Sequence, residues 1–331
     1  MRFRCEVNHE GRKTLLGVVQ NMERLDPASS QPAQTSRRTQ NKHKRAIVWL
    51  SKTQVSLALI AEQMHGDMMA FGNVSVEVFE SYFVESAASD NVYLSVNLRQ
   101  LSRALSSAAA SNAVTLMKLA KREGSACLLV CFEGAQVSSI EHVIPVKLHR
   151  ASEIDRYKPP SHPRPRLVFE LPVLSTLKTL VDRLKFMGER KKRRVVDVKF
   201  ESAGVLGLRV ASDSAVVKAF FTNLTLGGSA SQTQGDDSIV VAVDARNLAQ
   251  ALMGYNLDFD KIDCCPVEGF ALILNVTLAN AAGDLTYYIP LVKLDDDDED
   301  DLLQNNNAPL LRGDDDDDEK KAASSSSSSS S

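Results

Sequence analysis

Residues 92–105 read VYLSVNLRQLSRAL and residues 239–252 read IVVAVDARNLAQAL. At an offset of 147, Val96 falls on Val243, Asn97 on Asp244, Arg99 on Arg246, Leu101 on Leu248 and Leu105 on Leu252. Each segment begins with β-branched and apolar residues and then adopts apolar spacings of three and four, the change of period expected where a strand gives way to a helix. The short polar side chain at the junction, Asn97 or Asp244, is suited to accept hydrogen bonds from the first free amides of that helix. A second match follows in the same order, Ile144-Pro145-Val146 with Ile289-Pro290-Leu291, each closing its half. A weaker one precedes, Lys13-Thr14-Leu15 with Lys178-Thr179-Leu180. Ordered matches at nearly one offset predict a duplicated unit.

Working outward, Val195, Asp197 and Lys199 alternate with Val196, Val198 and Phe200, the period of a half-buried antiparallel strand. Further second-half strands are predicted over 205–212, 215–223, 238–243, 270–279 and 285–291. The expected fold class is α+β, with two repeats that each combine an antiparallel sheet and two helices. The first repeat spans 1–148 and the second 167–294. Between them, 149–166 contains Pro159, Pro160, Pro163 and Pro165, too many for helix or central strand, and is the expected linker. Residues 26–44 and 226–237 read as long loops. Residues 295–331, Asp-rich and then poly-Ser, cannot bury a core and are expected to be disordered.

At 331 residues and 44% hydrophobic content, the chain has the composition of a soluble globular protein with more than one core. The formal charge of −3 conceals an asymmetry: residues 295–331 hold 13 acids against Arg312, Lys320 and Lys321, which leaves 36 basic and 29 acidic residues in the body. A mildly basic body suits a polyanionic partner. No apolar run reaches the ~18–20 residues of a membrane span, so no membrane association is expected. Cys5, Cys127, Cys131, Cys264 and Cys265 lack paired metal-ligand spacing and read as buried thiols of an intracellular protein. No phosphate-binding glycine loop, nucleophile elbow or HExxH is present, and the six histidines are scattered. No cofactor and no metal are expected.

Met1-Arg2-Phe3-Arg4, VYLSVNLRQLSRALSSA at Val92–Ala108, EHVIPVKLHR at Glu141–Arg150 and LVFELPVLSTLKTLVDRLK at Leu167–Lys185 together resemble the Hus-one family of checkpoint (nine-one-one) clamp subunits. The resemblance runs in order to about Asn223 and returns at Val241–Leu252 and Tyr287–Pro290. The long basic loop near 35–45, the run Arg190–Arg194 and the acidic poly-Ser tail depart from the family pattern. The resemblance implies a DNA sliding-clamp fold and a non-catalytic role in the nucleus. It further implies Rad-nine type and Rad-one type partner subunits in a heterotrimer, a clamp loader, repair enzymes as clients, and sequence-independent contact with the backbone of double-stranded DNA.

A clamp lining must attract phosphates without reading bases, which places Lys and Arg on the solvent faces of helices whose other faces cover the sheets. Helical spacing puts Leu98, Leu101, Leu105 and Ala108 on one stripe with Arg99 and Arg103 opposite, and Leu248, Ala251 and Leu252 on another with Arg246 facing away. The first helix is expected to bury Leu15, Val18, Val19 and Met22 and to expose Lys13 and Arg24. The third buries Leu174, Leu177, Val181 and Leu184, with Lys178, Arg183 and Lys185 outward. These eight cations are the expected DNA-channel residues, although any amphipathic helix also turns solvated charge outward. By analogy with clamps, the ring edges are 139–147 and 215–223, with Ile140, Val143, Ile144, Val217, Phe220 and Phe221 at subunit junctions. By the same analogy, Ile154 and Tyr157 of the linker are client contacts. Arg190–Arg194 reads as a nuclear localisation signal, as a DNA contact or as a solvated turn between helix and strand. The competing readings are a homotrimeric replicative clamp, an adaptor of the same fold that never encircles DNA, and an enzyme of unrecognised family using Asp263, Cys264 or His142.

Overall fold

The computed structural model describes residues 1–25, 45–60, 68–86, 90–109, 114–133, 139–186, 194–212, 215–227, 238–252 and 257–292. Most of the basic loop near 35–45, residues 190–193 of the Lys/Arg run, most of the loop 226–237 and the acidic tail lie outside these residues.

The first half runs β1 (Arg2–Val7), α1 (His9–Glu23), β2 (Arg45–Leu50), β3 (Gln54–Leu59), β4 (Met69–Ser75), β5 (Ser81–Glu85), β6 (Val92–Asn97), α2 (Leu98–Ala109), β7 (Thr115–Arg122), β8 (Ser125–Phe132), β9 (Ile140–Pro145) and β10 (Lys147–Leu148). The second runs β11 (Phe169–Glu170), α3 (Leu174–Leu184), β12 (Val195–Glu201), β13 (Val205–Ala211), β14 (Val216–Phe221), β15 (Ser238–Asp244), α4 (Ala245–Leu252), β16 (Phe259–Val267), β17 (Ala271–Leu278) and β18 (Gly283–Pro290). The sequence repeat thus lays β6–α2 over β15–α4 and β9 over β18, and chain order lays β4 over β14.

The junctions of the two matched segments form as their polar residues predict. Asn97 Oδ1 accepts from the Gln100 amide at 3.1 Å. Asp244 Oδ1 accepts from the Arg246 amide at 2.7 Å and the Asn247 amide at 3.4 Å. Both helices then bury the expected stripes, Leu98, Leu101, Leu105 and Ala108 in α2 and Leu248, Ala251 and Leu252 in α4. α1 buries Leu15, Val18, Val19 and Met22. In α3, Leu177, Val181 and Leu184 are buried, but Leu174, the first helical residue, remains half-exposed beside an uncapped terminus at Val173.

The described residues form three antiparallel sheets, ordered β5-β1-β7-β8-β9, β10-β6-β2-β3-β4-β18-β17-β16-β11 and β14-β13-β12-β15. The nine-stranded sheet joins the halves, because β4 pairs with β18 from Met69↔Tyr288 to Val74↔Gly283. Its inner face packs against helices through residues such as Val48, Leu57, Leu272 and Leu274, part of one continuous core. Close approach depends on glycine here: a Cβ at Gly72 would meet Val18 Cγ1 of α1 at 2.7 Å.

Two features depart from the sequence pattern. β16, FDKIDCCPV, was not expected as a strand, since its charged start and internal proline mask the alternation. Pro266 is tolerated because β16 contacts its outer neighbour β11 only at Cys264 and Asp263, so no strand demands the missing N–H at that position. Arg12 of α1 faces inward at 1% exposure, its Nη1 donating to Thr115 Oγ1 of β7 at 3.0 Å.

Candidate DNA-channel face, ring edges and linker

All eight expected channel cations lie on the four helices or on the residue that follows one. Against them, the helices carry three acids, Glu10, Glu23 and Asp182. The pairing within this set is uneven. Lys13 holds Asp258, just before β16, and that bond raises the lysine's pKa above its ordinary value. Arg99 Nε lies 3.8 Å from Glu23 Oε1, and Lys185 Nζ lies 2.8 Å from Asp182 Oδ1. Lys178 is half-buried, and Arg24 is exposed at the C-cap of α1. Arg103, Arg183 and Arg246 are exposed and form no ion pair among the described residues. These three retain the most charge for a solvent-side anion, since an ion already paired contributes little extra field.

The two strands expected at ring edges do lie at sheet edges: β9 ends the five-stranded sheet and β14 ends the four-stranded one. The period of two splits the six named side chains between faces, a distinction the sequence reading did not draw. Val143 is 49% exposed and Phe220 46%. Ile144 is in the core at 2%, Val217 and Phe221 pack against it, and Ile140 is half-buried. The first group presents side chains outward, and the inward group leaves only backbone at the edge.

The linker crosses the outer face of the nine-stranded sheet in two short 3-10 turns, Ala151–Glu153 and Asp155–Tyr157. His149 N donates to Tyr93 O at 2.9 Å, and its Nδ1 sits 2.9 Å from Glu153 Oε2, a contact that lowers the glutamate's pKa. Ile154 inserts at 5% exposure among Ile47, Phe71, Ile273 and Tyr288, so it anchors the linker and is not available as an exposed contact. Tyr157 packs at the margin of that cluster, half-buried, with the Arg156 guanidinium 4.6 Å from its ring centroid. Farther along, His162 stacks on Phe270 at 5.7 Å. The polar half of the same face carries a chain of hydrogen bonds from Ser56 through Asn73 to Asp284, which proximity in sequence gave no means of finding.

The residues weighed for catalysis are not brought together. Cys264 is enclosed, and burial pushes its thiol well above the ordinary value. Asp263 is engaged by Lys261 Nζ at 2.7 Å. His142 lies on β9, in another sheet.

Curated proteins share the sequence over most of their own length. The chain is 27% identical to "Checkpoint protein HUS1" of Homo sapiens over 242 residues, covering 68% of this chain and 83% of the human protein. It is 27% identical to "Checkpoint protein hus1" of Schizosaccharomyces pombe over 231 residues, 64% and 78% of the two chains. With "Checkpoint protein hus1 homolog" of Dictyostelium discoideum it shares 25% over 219 residues, 65% and 78%. A family model described as "Hus1-like protein" matches residues 1–293, which takes in all the described elements. The duplicated α+β architecture is therefore a sliding-clamp fold, and the chain belongs to the Hus1-like protein family.

Proposed function

We propose that this chain is a non-catalytic subunit of a heterotrimeric ring that encircles double-stranded DNA at damage sites and holds checkpoint and repair factors there. The observation that carries the reading is the strand junction inside the chain. β18 of the second half pairs with β4 of the first. Their repeat counterparts, β9 and β14, have no outer partner among the described strands. A unit that joins its own halves by one kind of edge contact and presents the same two edge types unpaired can repeat that contact head to tail with neighbours, and rotation then closes a ring.

The helix faces supply the inner lining, with Arg24, Arg103, Lys178, Arg183 and Arg246 in long-range attraction to phosphates and with Lys13, Arg99 and Lys185 partly neutralised by their partners. Client proteins dock on the outer face beside the linker, where Tyr157 is the available aromatic and Ile154 holds the platform in place. Similarity to proteins named as checkpoint proteins supports the checkpoint role, and with it we place Rad-nine and Rad-one type partners, a clamp loader that opens the ring and action in the nucleus. Copurification tests the assembly: the chain mixed with both partner types should give one 1:1:1 trimer that slides off linear DNA and is retained on circular DNA. A ring formed by the chain alone, or a trimer equally retained on both DNA forms, would overturn the reading.

A further inference from the structure

A groove of about 580 Å³ runs between the exposed side of α2 and edge strand β9. Gln100, Arg103, Ser106 and Ser107 form one wall, and His142 and Val143 stand on the other. Among the described residues no acid lines it, and its polar side chains are a guanidinium, an amide, an imidazole and the three hydroxyls of Ser102, Ser106 and Ser107. Arg103 is exposed with no ion pair among the described residues. The buried His142 Nε2 has no hydrogen-bond partner there. Arg103 is the guanidinium of this lining, and a guanidinium can bind a carboxylate in two-point geometry.

The repeat identifies what fills such a groove. At the matching places in the second half stand Gln250 for Arg103, Tyr287 for His142 and Tyr288 for Val143. There the cleft is closed, because β4 pairs alongside, Ala70 opposite Tyr287 and Met69 opposite Tyr288, and the two tyrosines are 2% and 6% exposed. In the first half no described strand plays the part of β4, and Val143 remains 49% exposed. An open strand edge with an apolar outer residue fits a protein strand better than a phosphate backbone.

We infer that this groove is the socket for an acidic side chain on the docking edge of a neighbouring clamp subunit of different sequence, with Arg103 as its anchor. The inference rests on the ring-subunit reading above and moves Arg103 from the DNA lining to the junction between subunits. A second copy of this chain is a poor occupant. Its β14, Val216–Phe221, offers Lys218 and no acid, and the single acid of α3, Asp182, is already held by Lys185 at 2.8 Å. Neither element of a second copy offers Arg103 an unpaired acid, so self-association gives the groove no counter-ion.

The test compares the wild-type chain, Arg103→Glu and Arg246→Glu in trimer assembly with both partner types, followed by native mass spectrometry over a dilution series. Arg103→Glu should weaken assembly by about tenfold or more, with an unchanged melting temperature of the isolated chain, while Arg246→Glu assembles as wild type. Reversing one acid to Arg on the docking edge of a partner should restore assembly of the Arg103→Glu chain. That rescue is something a merely structural role for Arg103 would not give. Wild-type assembly by Arg103→Glu overturns the inference; if its DNA retention loses salt dependence at the same time, the anion at the groove is phosphate. Failure of the wild-type chain to join either partner overturns the ring reading itself and the inference with it.

Discussion

Asn73 Nδ2 donates to both carboxylate oxygens of Asp284, at 3.1 and 3.2 Å, across the β4–β18 pairing where the two halves of the chain meet. Asn73 Oδ1 in turn accepts from Ser56 Oγ at 2.8 Å. The amide therefore satisfies an acid that burial has raised above its ordinary pKa, and Asn73 and Thr286 act to pull it back down.

The pH dependence at this seam has a definite sign. A carboxylate whose folded pKa lies above its unfolded value costs stability once the pH exceeds the unfolded value, and the cost is relieved as the pH falls through the folded one. Asn73→Ala removes the hydrogen bonds that limit this cost. It should destabilise the chain by about 1–3 kcal/mol at pH 7, with a smaller difference from wild type at acidic pH. Urea midpoints measured at both pH values check this; a cost that grows on acidification would contradict it.

Gly283 marks the start of the same strand with φ at +139°, and a Cβ there would collide with the Asn73 carbonyl oxygen. Gly124 also has positive φ, +81°, but open space around it. Gly124→Ala should cost only the backbone term, about 1–2 kcal/mol. Gly283→Ala must in addition separate β18 from β4, so its unfolding midpoint should fall further. Equal midpoints for the two variants would mean that the seam yields freely.

The matched junctions predict matched energetics. Asn97→Ala and Asp244→Ala each remove the side chain that satisfies helix amides, and each should cost about 1 kcal/mol in chemical denaturation. Asn97→Asp should cost much less, since Asp244 performs the same task in the other half.

These caps, the buried stripes of α2 and α4 and the outward arginines were legible because helix periodicity and capping are local, and the repeat shows each of them twice. The pairing of residues 69–75 with 283–290 was not legible, since strands separated by two hundred positions leave no local mark of their register. Burial of Arg12 escaped for a related reason: its partner Thr115 lies on a strand that spacing along α1 does not reveal. Ile154 and Ile144 were chosen as apolar residues in the right segments, but which face each one takes depends on the sheet beneath it. The free edges were legible only by analogy, and the groove beside β9 required the fold.

The thiols supply a check on core packing. Burial pushes the Cys5 thiol up to about 12 and that of Cys265 up to about 11, and Cys264 well above its ordinary value. Since the thiolate is the reactive form, all three should resist an aromatic disulfide reagent at pH 8 in the native chain and react within minutes in urea. Rapid native labelling of Cys5, located by mass spectrometry, would show that the sheet β5-β1-β7-β8-β9 opens readily.

The channel assignment makes a graded prediction that a generic basic surface would not. Removing one cation from a phosphate lowers the slope of log affinity against log salt by about one. Arg183 and Arg246 form no ion pair among the described residues, so Arg183→Glu with Arg246→Glu in an assembled ring should reduce that slope by about two or more and leave subunit association unchanged. Lys13 is held by Asp258, and Lys13→Glu should change the slope less while weakening the hold of α1 on the segment before β16, because two acids would then face each other. If Lys13→Glu and the double arginine variant alter the slope alike, attraction comes from net charge spread over the body. If the arginine pair alone carries the effect, the phosphates lie against the exposed faces of α3 and α4.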